Sequence, residues 1–369
     1  MESIAGAQRV LDRKADDPAA NLILAKAYAA QGDLTKAIAL LDRSAQALPG
    51  SASAALLGEA LLANGRVEQA IAILSNLAKE NPTSAEARYV LAKAYAAGNE
   101  PQRATATLRE TLALKPLGNT AVGIVRLLTA LKDFPGARQA LDQIRLPLKN
   151  QPVLVVLDSN IVMEEGHAKK AERMLAEGQT RFPKDRGIVL LLARARSIAQ
   201  GPAAGLSVVS DWLSANHEDN EARVLRADLL ASLKRTDEAI SEYKLVAEKV
   251  PQNAYVLNNL AWMLKKSEPA KAMLWAEKAA QAAPDSPAVL DTLGTLLLAE
   301  GKDDRRAVEV LQKANELGPK FTEIKIHLAE AYLKQGETAK AEDLLVAVLA
   351  AESTGANAAR ATELLASIK

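Results

Sequence analysis

The feature that most constrains this chain is a residue pattern that returns every 33 or 34 positions. Leu24-Ala25-Lys26-Ala27-Tyr28, followed by Gly32-Asp33, Ala37, Leu41 and Pro49, comes back as Leu91-Ala92-Lys93-Ala94-Tyr95, Gly98-Asn99, Ala104, Leu108 and Pro116. Between them stands Leu57-Gly58, Leu61, Gly65, Ala70, Leu74 and Pro82, and a further copy runs Leu293-Gly294, Leu297, Gly301, Ala307, Leu311 and Pro319. Weaker copies begin at Leu260-Ala261, with Pro284, and at Leu328-Ala329, with Tyr332, Gly336, Ala341 and Leu345. Self-similarity at this period means small units stacked in a row, each burying its apolar face on its neighbours. Composition agrees. Apolar residues make up 49% of the 369 residues but aromatic ones only 3%. Burial therefore falls to Ala and Leu, which suits closely packed helices better than one large core filled with rings.

Each recurring place has a physical role. A small residue at the eighth place and Ala at the twentieth let two helices approach, while Leu or Tyr at places seven, eleven and twenty-four fills one helical face. Gly near the fifteenth place makes the turn between the helices by adopting positive φ. The proline closes the second helix, because the residue before a proline is pushed out of the α region. The pattern resembles the tetratricopeptide repeat, a helix–turn–helix unit of 34 residues. That resemblance implies an all-α fold, a right-handed α-solenoid of about ten repeats. On this register residues 1–17 read as the orphan second helix of a truncated repeat, 18–352 as the ten-repeat array, and 353–369 as a C-terminal capping helix that solvates the end. The middle copies depart from the pattern. Asp158-Ser159 occupy the seventh and eighth places of one unit, and Arg226 stands where Leu is expected. Leu146-Pro147-Leu148 and Gly201-Pro202 read as turns or helix breaks.

Charge and motifs narrow the chemistry. Lys and Arg number 46 against 45 Asp and Glu, without the basic excess that binding to nucleic-acid phosphates requires. There is no Cys, so disulfides, thiolate metal sites and Cys nucleophiles are excluded. No phosphate-binding, zinc-protease or nucleophile-elbow motif occurs. His167, His217 and His327 lie far apart and read as surface side chains, and Glu164-Glu165 as a solvated acidic turn. The expectation is a non-enzymatic chain without cofactor or metal, and without a transmembrane segment.

Partner contacts are expected on the first helix of each unit. Its ninth place reads Lys26, Glu59, Lys93, Arg126, Asn160, Arg194, Asp228, Trp262, Thr295 and Glu330 along the chain. Lys93, Arg126 and Arg194 are the candidate basic contacts. Tyr255, Asn258, Asn259 and Trp262, with Asp291 in the next unit, form a second candidate cluster. Asn hydrogen-bonds an extended peptide or a sugar hydroxyl and an exposed ring stacks on either. The alternative is that Asn259 ties neighbouring helices and Trp262 packs against them. Trp275, on a second helix, reads as core.

Asn258-Asn259-Leu260-Ala261-Trp262, followed by Pro284-Asp285-Ser286-Pro287-Ala288-Val289-Leu290-Asp291-Thr292-Leu293-Gly294, looks like the final repeats of exported bacterial tetratricopeptide proteins. These are linked to exopolysaccharide production and PEP-CTERM protein sorting, and many are lipoproteins. The resemblance implies an interaction scaffold of the bacterial envelope, periplasmic or anchored to the outer membrane, with protein or peptide partners that include polysaccharide-export machinery. The residues leave two other readings open: a cytoplasmic adaptor for peptide segments, and the repeat portion of a larger enzyme.

Overall fold

The computed structural model describes residues 2–48 and 50–368. Met1, Lys369 and Pro49, the last read above as closing a second helix, lie outside the described residues. Among those described there are twenty-two α-helices and no strand, the all-helical architecture expected of an α-solenoid. No helix among them is long and apolar enough to cross a membrane. The chain divides into two compact units, 1–199 and 200–369. The boundary falls one residue before the Gly201-Pro202 break.

The first unit holds α1 (Glu2–Leu11), α2 (Pro18–Ala30), α3 (Leu34–Ala47), α4 (Ala52–Ala63), α5 (Val67–Glu80), α6 (Ala85–Ala97), α7 (Pro101–Leu112), α8 (Gly118–Ala130), α9 (Phe134–Arg145), α10 (Pro152–Glu164) and α11 (Ala168–Arg181), and α12 (Arg186–Gln200) closes it. The second holds α13 (Pro202–Ala215), α14 (Asn220–Ser232), α15 (Thr236–Lys249), α16 (Ala254–Leu264), α17 (Pro269–Ala282), α18 (Pro287–Glu300), α19 (Asp304–Leu317), α20 (Thr322–Lys334), α21 (Thr338–Ala351) and α22 (Ala356–Ile368). Within each unit, helices follow in antiparallel-neighbour pairs such as α4–α5 and α18–α19, packed along their length. The first helix of a pair also touches the first helix of the next: α4, α6, α8 and α10 in one unit, and α16, α18, α20 and α22 in the other. Within each unit these first helices therefore form a continuous face.

Local sequence explains where the helices start and stop. Asp33, Ser84, Asp219 and Asn253 cap their helices by accepting from the backbone N–H three residues on, and prolines open α7, α10, α13, α17 and α18. Second helices α5, α11, α15 and α17 end two residues before Pro82, Pro183, Pro251 and Pro284. The intervening Asn81, Phe182, Val250 and Ala283 take φ between −122° and −141°, outside the α region that a following proline disfavours. The turn between helices needs one residue at positive φ. Gly32 and Gly336 supply it at +81° and +79°, but in the Gly98-Asn99 turn it is Asn99 that adopts +58° and not the glycine. Asn tolerates the left-handed region through its short polar side chain.

The small residue at the eighth place is sterically required. A Cβ on Gly58 would overlap Leu74 of the paired helix, and one on Gly294 would overlap Leu311. The irregular middle copies keep this logic by other means. Ser159 is fully buried at its small-residue place, and Asp158 pairs with Arg145 at 2.9 Å. Arg226, standing for Leu, is neutralised by Glu242, which also takes Arg223 at 3.0 Å. Trp275 is half-buried against the core of the second unit.

Candidate functional site

The face formed by α16, α18 and α20 carries a groove of about 540 Å³. Asn258, Asn259 and Trp262 come from α16, and Asp291 and Thr292 from α18. Phe321, Thr322 and Glu323 come from the start of α20, Glu352 from the end of α21 and Asn357 from α22. Asn258, Trp262 and Asp291 share a wall because α16 and α18 pack side by side and their residues recur at helical spacing. Four of the residues singled out from the sequence are thus brought together here. Tyr255 sits one turn before Asn258 on α16, is 54% exposed, and donates its hydroxyl to Asp228 at 2.9 Å. Burial and that carboxylate raise its pKa.

Two features separate this groove from ordinary packing. The first is the amides. Oδ1 of Asn258 and Nδ2 of Asn259 are buried without a hydrogen-bond partner, although Asn259 stands beside the Tyr255 hydroxyl. An unpaired buried polar atom costs ~1–3 kcal/mol, so each of these amides keeps one atom whose hydrogen-bonding capacity the fold does not use. The second is ring exposure. Trp262 is 40% and Phe321 57% exposed, and the ammonium of Lys265 lies 2.9 Å from the centre of the Trp262 ring. Burial lowers the pKa of Lys265, helped by the nearby Lys266.

Polar contacts set the far wall. Thr322, buried on α20, donates its hydroxyl to Glu352 and accepts from Nδ2 of Asn357 at 3.0 Å. The terminal helix, read above as capping the array, buries Ala358, Ala361 and Leu364 and contributes Asn357 to the groove. Asp291 accepts from His327 across 2.8 Å, and both side chains are mostly buried. His327 is thus not the surface histidine expected of it. Burial disfavours its charged form, but the Asp291 hydrogen bond and the carboxylates of Asp291, Glu323 and Glu330 outweigh that and raise its pKa. One-dimensional spacing hides the pair, since 36 residues separate its members. Phe321 was legible in principle, as one of three phenylalanines in a chain of few rings, placed at a turn where burial is not expected.

The basic candidates belong to the first unit. Lys93 on α6 is paired with Glu59 on α4 at 2.8 Å and lies 5.8 Å from the Tyr89 ring centre. These two ninth-place residues of adjacent repeats thus pair with each other at half-exposed positions. Arg126 and Arg194 are exposed on α8 and α12. The acidic turn expected at Glu164-Glu165 is also paired, Arg138 reaching both oxygens of Glu165 at 3.1 and 2.5 Å. His167 and His217 are exposed. Among the described residues no three His, Asp or Glu side chains are grouped to hold a metal ion.

Tetratricopeptide repeat families match residues 61–122 and 305–368, and, through a second description of the same repeat, 190–254 and 226–287. Residues 3–77 match the family described as anaphase-promoting complex, cyclosome, subunit 3. No curated protein sequence matches. Among solved structures the chain is similar to the APC/C hetero-tetramer Cut9–Hcn1, with a TM-score of 0.52 at 13% identity, over 99% of this chain and 92% of that one. It also matches the human IFIT1 dimer with m7Gppp-AAAA, with TM-score 0.48 and 17% identity over 72% and 68%, and MamA, with 0.40 and 16% over 44% and 95%. At such identities the likeness speaks for the fold alone.

Proposed function

Because the chain is a tetratricopeptide repeat protein, we propose that it is a non-enzymatic interaction scaffold and that the groove between α16 and α22 seats an extended segment of a protein partner. The observation that carries this reading is one acceptor, Oδ1 of Asn258, and one donor, Nδ2 of Asn259, that find no hydrogen-bond partner in the protein beside an exposed Trp262. A peptide group offers one donor and one acceptor, the complement of what two amides present. Half-exposed rings in a groove supply the contact area that such segments need.

The test is a random-peptide library displayed on phage and panned on the purified chain. Enriched peptides are expected to lose binding about 30-fold or more on Trp262→Ala, as for an aromatic anchor, and substantially on Asn258→Ala. Peptides indifferent to both substitutions, or no enrichment at all, would overturn the reading.

The setting we propose is the bacterial envelope, periplasmic or at the outer membrane, serving exopolysaccharide export or PEP-CTERM sorting. Its support is the likeness of 258–262 and 284–294 to exported repeat proteins, in the stretch that lines much of the groove. The full-length gene tests it. A leader with a lipobox cysteine is the expected outcome, a gene without a leader would favour a cytoplasmic adaptor, and an attached catalytic domain would make the chain the repeat portion of an enzyme.

A further inference from the structure

We infer that the segment seated in this groove carries a cationic side chain, Arg or Lys, with its charge among Asp291, Glu323 and Glu352 and its methylene stem on Trp262 and Phe321. The inference rests on the groove reading above and adds the chemistry of the occupant.

Charge complementarity points this way. Three carboxylates line the groove against Lys320, with the Lys265 ammonium beside them over the Trp262 ring. The carboxylates are not equally engaged. Asp291 is shared with His327 and Glu352 accepts the Thr322 hydroxyl, whereas Glu323 is exposed and makes no ion pair. An anionic segment would meet repulsion from all three. A purely apolar one would strip water from carboxylates and leave them unpaired, which is the costlier way to bury charge. A cation meets neither penalty.

The chain already seats a cation at this place. Lys265 lies over the Trp262 ring, and its ammonium is favoured there by Glu323 and Asp291 even as burial disfavours it. A ring face with carboxylates beyond it is the arrangement that attracts ammonium and guanidinium groups. Long basic side chains also lay their apolar stems along exposed rings while the charged head stays polar, and Phe321 offers a second such surface on the opposite wall. The two unpaired amide atoms then serve the backbone on either side of the basic residue.

The experiment follows the same panning. Enriched sequences are expected to share an Arg or Lys, and a synthetic copy with that Arg replaced by citrulline, which keeps shape and loses charge, should bind roughly tenfold more weakly or worse. Glu323→Gln should cost roughly three- to tenfold, and Glu323→Lys more. Affinity for the parent peptide should also fall with added salt. Glu323 is exposed, so both variants are expected to fold, and their far-ultraviolet circular dichroism checks this. Peptides that need Trp262 and Asn258 but show no basic residue, or ignore Glu323→Lys, overturn the cationic occupant and leave the groove reading standing. Peptides indifferent to Trp262 and Asn258 overturn both.

Discussion

Trp262 is a residue whose role turns on exposure. Emptying a fully buried aromatic position costs ~3–5 kcal/mol, but this ring keeps 40% of its surface. Trp262→Ala should therefore cost well under that range, and thermal melting checks it. A loss at the top of the range would return Trp262 to the core. Asn258 gives the sharper case. Because it removes a buried, unpaired Oδ1, Asn258→Ala should leave stability unchanged or raise it by up to ~1–3 kcal/mol while still weakening bound peptides. His327 adds a pH signature. Its folded pKa stands above the ordinary 6.5, so its pairing stabilises the protein fully below that ordinary value and the contribution is lost as pH rises through the raised folded value. The difference in melting temperature between wild type and His327→Gln should be largest on the acid side of this window and shrink above it. A flat difference across the window would mean that the Asp291 pair does not stabilise the charged ring.

At the scale of helices, stability depends on how closely paired helices approach. Gly294 stands where a methyl group would overlap Leu311, so Gly294→Ala should destabilise by ~1–3 kcal/mol, the range for overpacking. Gly336 has open space around it but a φ of +79°, so Gly336→Ala meets only backbone strain of ~1–2 kcal/mol. Urea titration of both variants separates the two causes. Leu311→Ala added to Gly294→Ala should relieve the clash in the first case, whereas no neighbouring truncation should rescue the second. The Arg223–Glu242–Arg226 group shows a different adaptation, in which a polar triad replaces apolar contact between α14 and α15. Removing Glu242 would leave two mostly buried cations facing each other. That loss should approach, but not reach, the ~3–5 kcal/mol of a fully buried pair.

For the whole molecule, stacked repeats couple mainly to their nearest neighbours, so long arrays lose the all-or-none unfolding of small domains. The three tryptophans, Trp212, Trp262 and Trp275, all lie in the 200–369 unit. Their fluorescence therefore follows that unit, while helical circular dichroism follows the entire chain. Urea curves from the two probes should fail to superimpose. Coincident curves would show that the two units unfold as one.

Taken alone, the sequence determined the period, the pairing of helices and the places where small residues or prolines are obligatory, because these depend on contacts between residues a few tens of positions apart within a repeating frame. It also placed Asn258, Asn259, Trp262 and Asp291 on one face, since helical spacing within and between units is itself periodic. Only the tertiary structure decided which charges were free. Lys93 is paired with Glu59 one repeat away, His327 is held by Asp291, and Glu323 is left open. Likewise Phe321, Glu352 and Asn357 joined the groove through packing of α20 and α22, not through any pattern shared with the other repeats. Ion pairing and orphaned amides depend on side-chain distances across helices, and a periodic sequence specifies those helices' order without specifying which side chains meet.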